Sequence, residues 1–530
     1  MKTLSEHKNT SSSRSINGSV STQYTRFPKN KKQLEQMILG EISIQGPEAD
    51  LNHIDISAIT DLHGLFSHSK FNGDISKWDV SNVTNMSNMF ENAESFNGDL
   101  SDWDVSNVTD MSYMFCGCES FNQDLTGWDV SNVTNMHCMF YKATNFNGDV
   151  STWDVRNVTD MRAMFCGTKF NRNLKRWNTK NVRDMYGMFK NIESFNQDLS
   201  RWNVSNAENM EHMFNGCTLF NSDISNWDVS KVTNMADMFS HAILFNQDLS
   251  KWDVSNVTSM AGMFAGASSF NQDLSGWDVS NVKDMYSMFM NAKSFNGDIS
   301  TWDVRNVKVM TSMFEDSQFN GNLKRWNTKN VVDMCSMFKY DSAFNQDISR
   351  WDVSSVTDMS DMFFRASSFN SDISAWDVSK VITMKEMFNY AESFNQDISR
   401  WDVSRVENMF LMFGGCKSFN SDISRWNVSN VKNMAGMFMD IESFNQDLSG
   451  WDVSNVFDMN GMFCHCKSFN SDISRWNVSK VKNMENMFNG ATSFNQDISG
   501  WDVSNVKDIY MHDVFKNCSC PKEYQPKFKQ

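Results

Sequence analysis

The sequence predicts an α/β solenoid of about 18 to 19 coils, each made of a short parallel β-strand and a short helix. The first observation behind this prediction is repetition. All 18 tryptophans occupy the same place in one repeated stretch, which is first complete at residues 71–90. The period is 25 residues and shortens to 24 only between Trp153 and Trp177 and between Trp302 and Trp326. A fixed period of this length indicates stacked structural units that form one elongated domain.

The second observation is the spacing of apolar residues in the later half of each period. They recur at intervals of three and four, which predicts a helix of about three turns. Ser81 or Asn82, just before this segment, is a natural N-cap for such a helix. In the first complete coil the apolar residues are Val83, Met86, Met89, Phe90 and Ala93.

The earlier half of each period predicts the strand. Ile75, Trp78 and Val80 form a short apolar stretch bounded by Asn, Gly, Asp and Ser, which is too brief for a helix. A buried parallel strand fits this pattern, since such strands are apolar on both faces. Stacking of coils then predicts a continuous internal row of indole rings, which includes Trp78, Trp103, Trp128, Trp252, Trp351, Trp401, Trp451 and Trp501.

The chain divides into four predicted segments. Residues 1–30 are rich in Ser, Thr, Asn and Lys and are expected to be a disordered N-terminal tail. Residues 31–49 contain an amphipathic pattern and are expected to form a helical cap over the first coil. The repeat solenoid spans 50–518, because all four prolines lie outside it. Residues 519–530 form a C-terminal tail.

A second order of repetition lies above the single coil. The two 24-residue coils stand 149 residues apart, and both contain Lys-Arg-Trp-Asn-Thr-Lys-Asn-Val, beginning at Lys175 and at Lys324. This spacing indicates that one block of six coils was copied.

Composition excludes several classes of partner. The formal net charge of −16 disfavours binding to nucleic-acid phosphates and to anionic membranes. No apolar run is long enough to span a bilayer, and no standard signal peptide is visible. Of the 11 cysteines, five replace Ala at one apolar position of the repeat and are expected to act as small buried hydrophobes. These five are Cys118, Cys217, Cys416, Cys466 and Cys518.

The repeat resembles a known family. Its unit, Phe-Asn-x-Asp-Ile/Leu-Ser-x-Trp-Asp-Val-Ser-x-Val-x-x-Met-x-x-Met-Phe, is similar to the repeat of bacterial and mycoplasma-type surface proteins of the BspA type, a branch of leucine-rich-repeat proteins. The resemblance covers about residues 50–518. It implies a leucine-rich-repeat-like solenoid, a surface or secreted location, and adhesion to a host or matrix protein. It brings no catalytic residues.

Two acidic columns run along the array, four residues before Trp and one residue after it. Asp74 and Asp79 represent them in the first complete coil, and Asn replaces Asp in some coils. Ladders of carboxylates could coordinate Ca²⁺ between coils. The exchange with Asn favours the alternative that these side chains accept backbone hydrogen bonds in turns.

The residue just before Trp varies where its neighbours are constant, so this column is expected to face outward and to bind a protein partner. Arginine is frequent in it and suits bidentate recognition. The alternative is that these arginines only pair with the acidic columns. The predicted binding residues are Arg176, Arg201, Arg325, Arg350, Arg400, Arg425 and Arg475.

The leading functional hypothesis is a non-enzymatic protein-binding repeat protein, an adhesin or host-interaction factor. Alternatives are an intracellular scaffold or an effector delivered into a host cell, and a calcium- or glycan-binding module. No cofactor and no metal site is expected, because Cys464-His465-Cys466 lacks the ligand spacing of zinc sites. No recurring Ser, His and Asp set indicates catalysis.

Overall fold

The computed structural model describes residues 24–507 and 511–528. The cap predicted for residues 31–49 contains one α-helix, α1, Lys31–Gln45. The side chain of Asn30 caps its first turn, and Gly46 ends it with a φ of +84°. Leu34 and Ile38 are buried against the first coils, so α1 closes one end of the apolar core.

The predicted N-terminal tail, residues 1–30, lies mostly outside the described residues. Its described end contacts the array. The backbone N–H of Thr25 donates to the carbonyl of His53 at 2.9 Å, and Arg26 forms a parallel bridge with Ile54. The chain therefore joins the first coil before α1 begins.

The described part of the predicted C-terminal tail (519–530), residues 519–528, packs on the last coil. A 3₁₀ turn, Lys522–Tyr524, brings the carbonyl of Tyr524 to the N–H of Ile498 at 2.9 Å. Phe528 packs against the core, which is thereby covered at this end too.

The coils differ from the prediction of one strand and one helix each. In the described part of the chain, α1 is the only α-helix and no extended strand is present. Each coil is instead a chain of tight turns, in which a carbonyl accepts the N–H three residues later. In the first complete coil these turns join Ile75 to Trp78, Val80 to Val83, Met86 to Met89, Phe90 to Ala93 and Ala93 to Phe96.

The backbone of residues 86–92 explains why the helix prediction is wrong. Every second N–H in this segment donates to the next coil instead of to its own chain four residues earlier. For example, the N–H of Asn88 donates to Ser112 at 2.8 Å and that of Asn92 donates to Cys116 at 2.6 Å. Asn88 and Asn92 are also left-handed, with φ of +58° and +54°. A right-handed helix cannot contain such alternation.

Hydrogen bonds hold the coils in parallel register. Isolated parallel bridges follow one column from Asp61 to Asn483. A second column forms an asparagine ladder, in which each backbone N–H donates to the side-chain oxygen one coil earlier. This ladder begins with Asn97 on Asn72 at 2.9 Å and continues to Asn495 on Asn470 at 3.1 Å. Strand pairing is thus replaced by side-chain and turn ladders.

The tryptophans lie inside the array as a row of indoles. The eight named in the sequence analysis are 2–6% exposed. Each indole N–H donates to a carbonyl of the preceding coil, as Trp103 does to Ile75 at 3.2 Å. Where successive indoles stack, their ring centroids are 6.2–6.5 Å apart, as for Trp128 and Trp153 at 6.2 Å. The hydrogen bonds and the stacking both fix the spacing of the coils.

Two phenylalanine columns complete the core. Phe90 stacks on Phe96 within one coil at 4.0 Å and on Phe115 of the next coil at 5.5 Å. The cysteines at the Ala position are free thiols in the same core, and burial raises the pKa of Cys118 and Cys217 well above the usual range. Four of the five, Cys118, Cys217, Cys416 and Cys466, are fully buried, while Cys518 is half-buried.

Candidate protein-binding face

One side of the array carries most of the outward-facing variation. We call it the turn face, and define it by residues 84, 85, 87, 88, 91 and 92 of the first complete coil and their equivalents in the others. Met86, Met89 and Phe90 lie between these positions and are fully buried. The turns therefore direct one set of side chains into the core and leave the other set on a surface.

The column that begins at position 88 shows how varied this surface is. Its described residues have φ between +49° and +63°, a region that Gly adopts freely and that L-residues other than Asn and Asp rarely adopt. The side chains nevertheless range from none to aromatic. Its first members are Asn88, Tyr113, Cys138, Ala163, Gly187, His212, Asp237, Gly262, Ser287, Ser312, Ser336, Asp361, Glu386 and Leu411.

Sequence reasoning missed this face. The sequence analysis predicts the column before Trp as the variable one and considers only the apolar residues of the segment that carries the turn face. The missed signal is the unconstrained pairs in Met-x-x-Met-Phe-x-x, which change from coil to coil as freely as the column before Trp. Frequent Gly, Asn and Asp at these positions was the second signal, because these residues favour left-handed turns.

Aromatic and cationic side chains gather at one place on the turn face. The guanidinium carbon of Arg365 lies 5.0 Å from the ring centroid of Tyr390 and 5.6 Å from that of Phe364. Lys339 Nζ lies 5.3 Å from the ring centroid of Phe364, which meets Tyr340 edge-on at 5.2 Å. Tyr340 and Tyr390 remain 41% and 39% exposed. We call these five residues the aromatic patch.

A charged network occupies the turn face elsewhere. The Arg162 guanidinium donates to Asp160 through Nη2 at 2.6 Å and through Nε at 3.0 Å. His137 Nδ1 lies 3.6 Å from Asp160 Oδ2, and its Nε2 lies 2.8 Å from Tyr113 Oη. Burial raises the pKa of Asp160, but the nearby His137 and the hydrogen bonds from Arg162 outweigh it, so its pKa lies well below the usual range. A carboxylate held in this state is an ion-pair partner and not a proton acceptor.

The seven predicted arginines lie along the corner just before Trp, away from the turn face. All seven are exposed. None of them forms an ion pair within 4.0 Å in residues 24–507 and 511–528. Their guanidinium groups are therefore not held by the acidic columns through direct ion pairs.

The acidic columns form turns. Asp74 Oδ1 accepts the backbone N–H of Ser76 at 2.9 Å, and Asp79 Oδ1 accepts that of Ser81 at 3.1 Å. The N–H and hydroxyl of Ser101 lower the pKa of Asp99 in the same way. The described residues contain no group of three or more His, Cys, Asp or Glu side chains placed to hold a metal ion. These contacts support the interpretation that the side chains of both acidic columns accept backbone hydrogen bonds in turns.

Comparison with known families places the chain. Five overlapping matches to one family model cover residues 32–150, 139–243, 208–324, 315–426 and 412–526. That family is described as "Mycoplasma protein of unknown function, DUF285". The chain belongs to the DUF285 family. DUF285 sequence extends from the cap helix to the last coil, and no curated protein matches the chain.

Three solved structures are similar to this DUF285 chain at low identity. A leucine-rich repeat protein from Bacteroides ovatus shares 10% identity over 75% of this chain and 76% of its own, with a TM-score of 0.20. The functional domain of InlJ from Listeria monocytogenes shares 11% identity over 76% and 70%, with a TM-score of 0.19. A TLR13–ssRNA13 complex shares 9% identity over 89% and 88%, with a TM-score of 0.18. At these scores the likeness carries no argument about fold or function.

No helix among the described residues combines the length and the apolar character that a membrane crossing requires. This observation concerns helices alone.

Proposed function

We propose that this DUF285 protein is a non-enzymatic protein-binding repeat protein, an adhesin or host-interaction factor, that binds its partner through the turn face. The aromatic patch is the observation that carries this proposal. Tyr and Arg are enriched among residues that dominate interface energies, and here they are exposed and ordered by cation–π contacts. The turn face continues along all the tandem coils, which suits an extended partner.

We propose a location at the cell surface or outside the cell, which the resemblance to BspA-type repeats supports. The second candidate is an intracellular scaffold or an effector delivered into a host, and the free cysteines are the observation that favours it. Surface biotinylation of intact cells discriminates between the two, because only an exposed protein is labelled.

We propose the arginine corner as a second contact with the partner. Its guanidinium groups are exposed and form no ion pair with the described residues, which suits carboxylates of a protein ligand. An enzyme is the less favoured class, since tandem copying multiplies a surface whereas catalysis gathers unlike groups at one point.

Affinity capture with the full chain tests the turn face. In the test variant, serine replaces the three aromatic residues of the patch. In the control variant, alanine replaces the three equivalent residues of the turn face six coils earlier, where there is no patch. We expect the first variant to lose the captured partner and the second to retain it, with both as folded as the wild type by circular dichroism. Capture that survives the first variant overturns the proposal. The test changes are Tyr340→Ser, Phe364→Ser and Tyr390→Ser, and the control changes are Asn191→Ala, Asn215→Ala and His241→Ala.

A further inference from the structure

We infer that each of the two 24-residue coils forms a pocket that binds an oxyanion, and that its ligand is an acidic side chain of the protein partner. The first pocket has a volume of 380 Å³ and lies between two successive coils. Ser151, Asp154 and Arg156 of one coil line it, together with Arg176 and Asn178 of the next.

The second pocket repeats the first 149 residues later. It has a volume of 440 Å³, and the same residue types line it: Ser300, Asp303, Arg305, Arg325 and Asn327. Because the pocket occurs at the equivalent place in both 24-residue coils, it is a property of this type of coil and not of one side-chain conformation.

Several hydrogen-bond donors of the pocket contact no described residue. Arg156 directs Nε and Nη2 to its own Asp154, at 2.9 and 2.7 Å. Arg176 lines the same pocket and forms no ion pair with any described residue, so its guanidinium fork is available. The side-chain oxygen of Asn178 accepts the N–H of Lys180, which leaves its amide nitrogen as a donor. A ligand that completes this set must supply acceptor oxygens.

The charge of these coils is inverted relative to the rest of the array. Both acidic columns change to Asn here, at Asn173 and Asn178 in the first copy. Basic residues are added around them, while the whole chain carries a net charge of −16. The second copy keeps the same stretch, Asn322 to Val331, unchanged. Lys175 pairs with Asp198 of the next coil, whereas Arg176 has no ion pair among the described residues and stays free to attract an anion to this place.

The choice of a carboxylate on a protein rests on the proposed function and on the absence of a stacking surface. Trp153 and Trp302 are the aromatic residues lining the two pockets, and they are only 3% and 2% exposed. Sugars and single-stranded RNA are usually bound on open aromatic faces, which these buried rings do not offer. An Arg fork recognises a carboxylate without such a surface.

The number of ligands bound per chain tests this inference. The probe is a fluorophore-labelled octaglutamate peptide, titrated into the full chain at low salt. We expect two tightly bound peptides per chain in the wild type, one in Arg176→Gln, one in Arg325→Gln and none in the double variant, with the five other corner arginines contributing only weaker binding. In 0.5 M salt, binding should weaken at least tenfold, because the contact is a screened ion pair.

The control removes the same charge from the same column outside the pockets. Lys77→Gln with Lys251→Gln should leave the number of bound peptides at two. Loss of binding in this control, or two peptides bound by the double arginine variant, overturns the pockets. A heparin hexasaccharide or an RNA oligomer can replace the peptide as probe. If one of them binds twice to the wild type, once to each single variant and not to the double variant, while the peptide does not bind, the pockets exist but an acidic side chain is not their ligand. The assay does not involve the turn face, so its failure leaves the capture result, and with it the proposed function, standing.

Discussion

The two six-coil blocks, residues 79–227 and 228–376, are copies of one design that have diverged unevenly. The residues around each tryptophan, which we call the tryptophan corner, are nearly the same in the two blocks. For example, the stretch from Ser151 to Val158 is identical to that from Ser300 to Val307. Their turn faces differ at almost every outward position. The charged network around Asp160 in the first block has Val309 in the place of Asp160 in the second. Selection has therefore held the corner while the turn face was free to change.

The aromatic patch makes the same point. Six coils before Tyr340, Phe364 and Tyr390, the equivalent residues are polar, so the patch arose on one copy only. A surface that gains such a cluster in one place has acquired a specific contact, whereas the pockets occur in both copies. The aromatic patch is thus a local change in one block, whereas the pockets were copied with the six-coil block.

The largest expected effect concerns what the two copies share. Trp103→Ala and Trp252→Ala remove equivalent indoles, each of which donates to an Ile carbonyl of the preceding coil at 3.2 Å. Each should lower the free energy of unfolding by about 3–5 kcal/mol, from the cavity and the lost donor. Urea unfolding measures this.

Because both rings are almost fully buried and donate to equivalent carbonyls, the two losses should agree within about 1 kcal/mol. Trp103→Phe is the control, since it keeps most of the apolar volume and removes the indole N–H. A loss in one block alone would contradict the equivalence of the copies.

The next effect concerns a buried difference between the blocks. Ser317 and Asp341 are fully buried in the second block, where the first has Thr168 and Ile192. Burial raises the pKa of Asp341 to about 7, although the Ser317 hydroxyl donates to it at 3.0 Å. In the unfolded chain an Asp titrates near pH 4, so the folded state holds the proton more tightly. The free energy of unfolding should therefore fall as the pH rises from about 4 to about 7, by up to about 4 kcal/mol.

Ser317→Thr with Asp341→Ile copies the first block and should remove this loss. The variant should exceed the wild type in unfolding free energy by about 2 to 3 kcal/mol more at pH 8 than at pH 5. Ile192→Asp in the first block is the reciprocal change and should destabilise the protein more at pH 8 than at pH 5. Urea unfolding at both pH values measures each. An equal effect at the two pH values would show that Asp341 does not titrate in this range.

The sequence predicts the core of the array better than the path of its backbone. The period of the tryptophans predicted the internal row of indoles, because identical residues at a fixed spacing must stack in one column. The spacing of Val83, Met86, Met89 and Ala93 did not distinguish a helix from successive turns, since both return the chain to the core every three or four residues. The direction of the N–H groups decides between them, and it depends on contacts with the next coil. The turn face was missed for the same reason.

The pockets could be predicted only in part. The motif from Lys175 was visible as a repeated departure from the consensus, and Arg176 and Arg325 were named as binding residues. Their partners, Arg156 and Arg305, lie in the preceding coil about 20 residues earlier, and only the stacking of coils brings them to one pocket. Residues that are distant in sequence become neighbours through the register.

The smallest expected effect is a backbone effect at one pair of equivalent positions. Ala163 and Ser312 are left-handed, with φ of +49° and +55°. This conformation costs an L-residue about 1–2 kcal/mol, whereas Gly adopts it freely. The unfolded chain gains about 0.4–1 kcal/mol of flexibility with Gly, so the net gain in stability for Ser312→Gly should be about 0.5 kcal/mol. For Ala163→Gly the loss of a buried methyl group, about 0.8 kcal/mol, should bring the net change close to zero.

Gly187 and Gly262, in the same column, show that the turn accepts glycine. The control is Ala93→Gly, at a buried position whose φ is not positive, which should destabilise the protein. Thermal unfolding measures all three changes. If Ala163→Gly and Ser312→Gly lower the melting temperature as Ala93→Gly does, the left-handed column does not store the expected strain, and the diversity of the turn face carries no backbone penalty in either block.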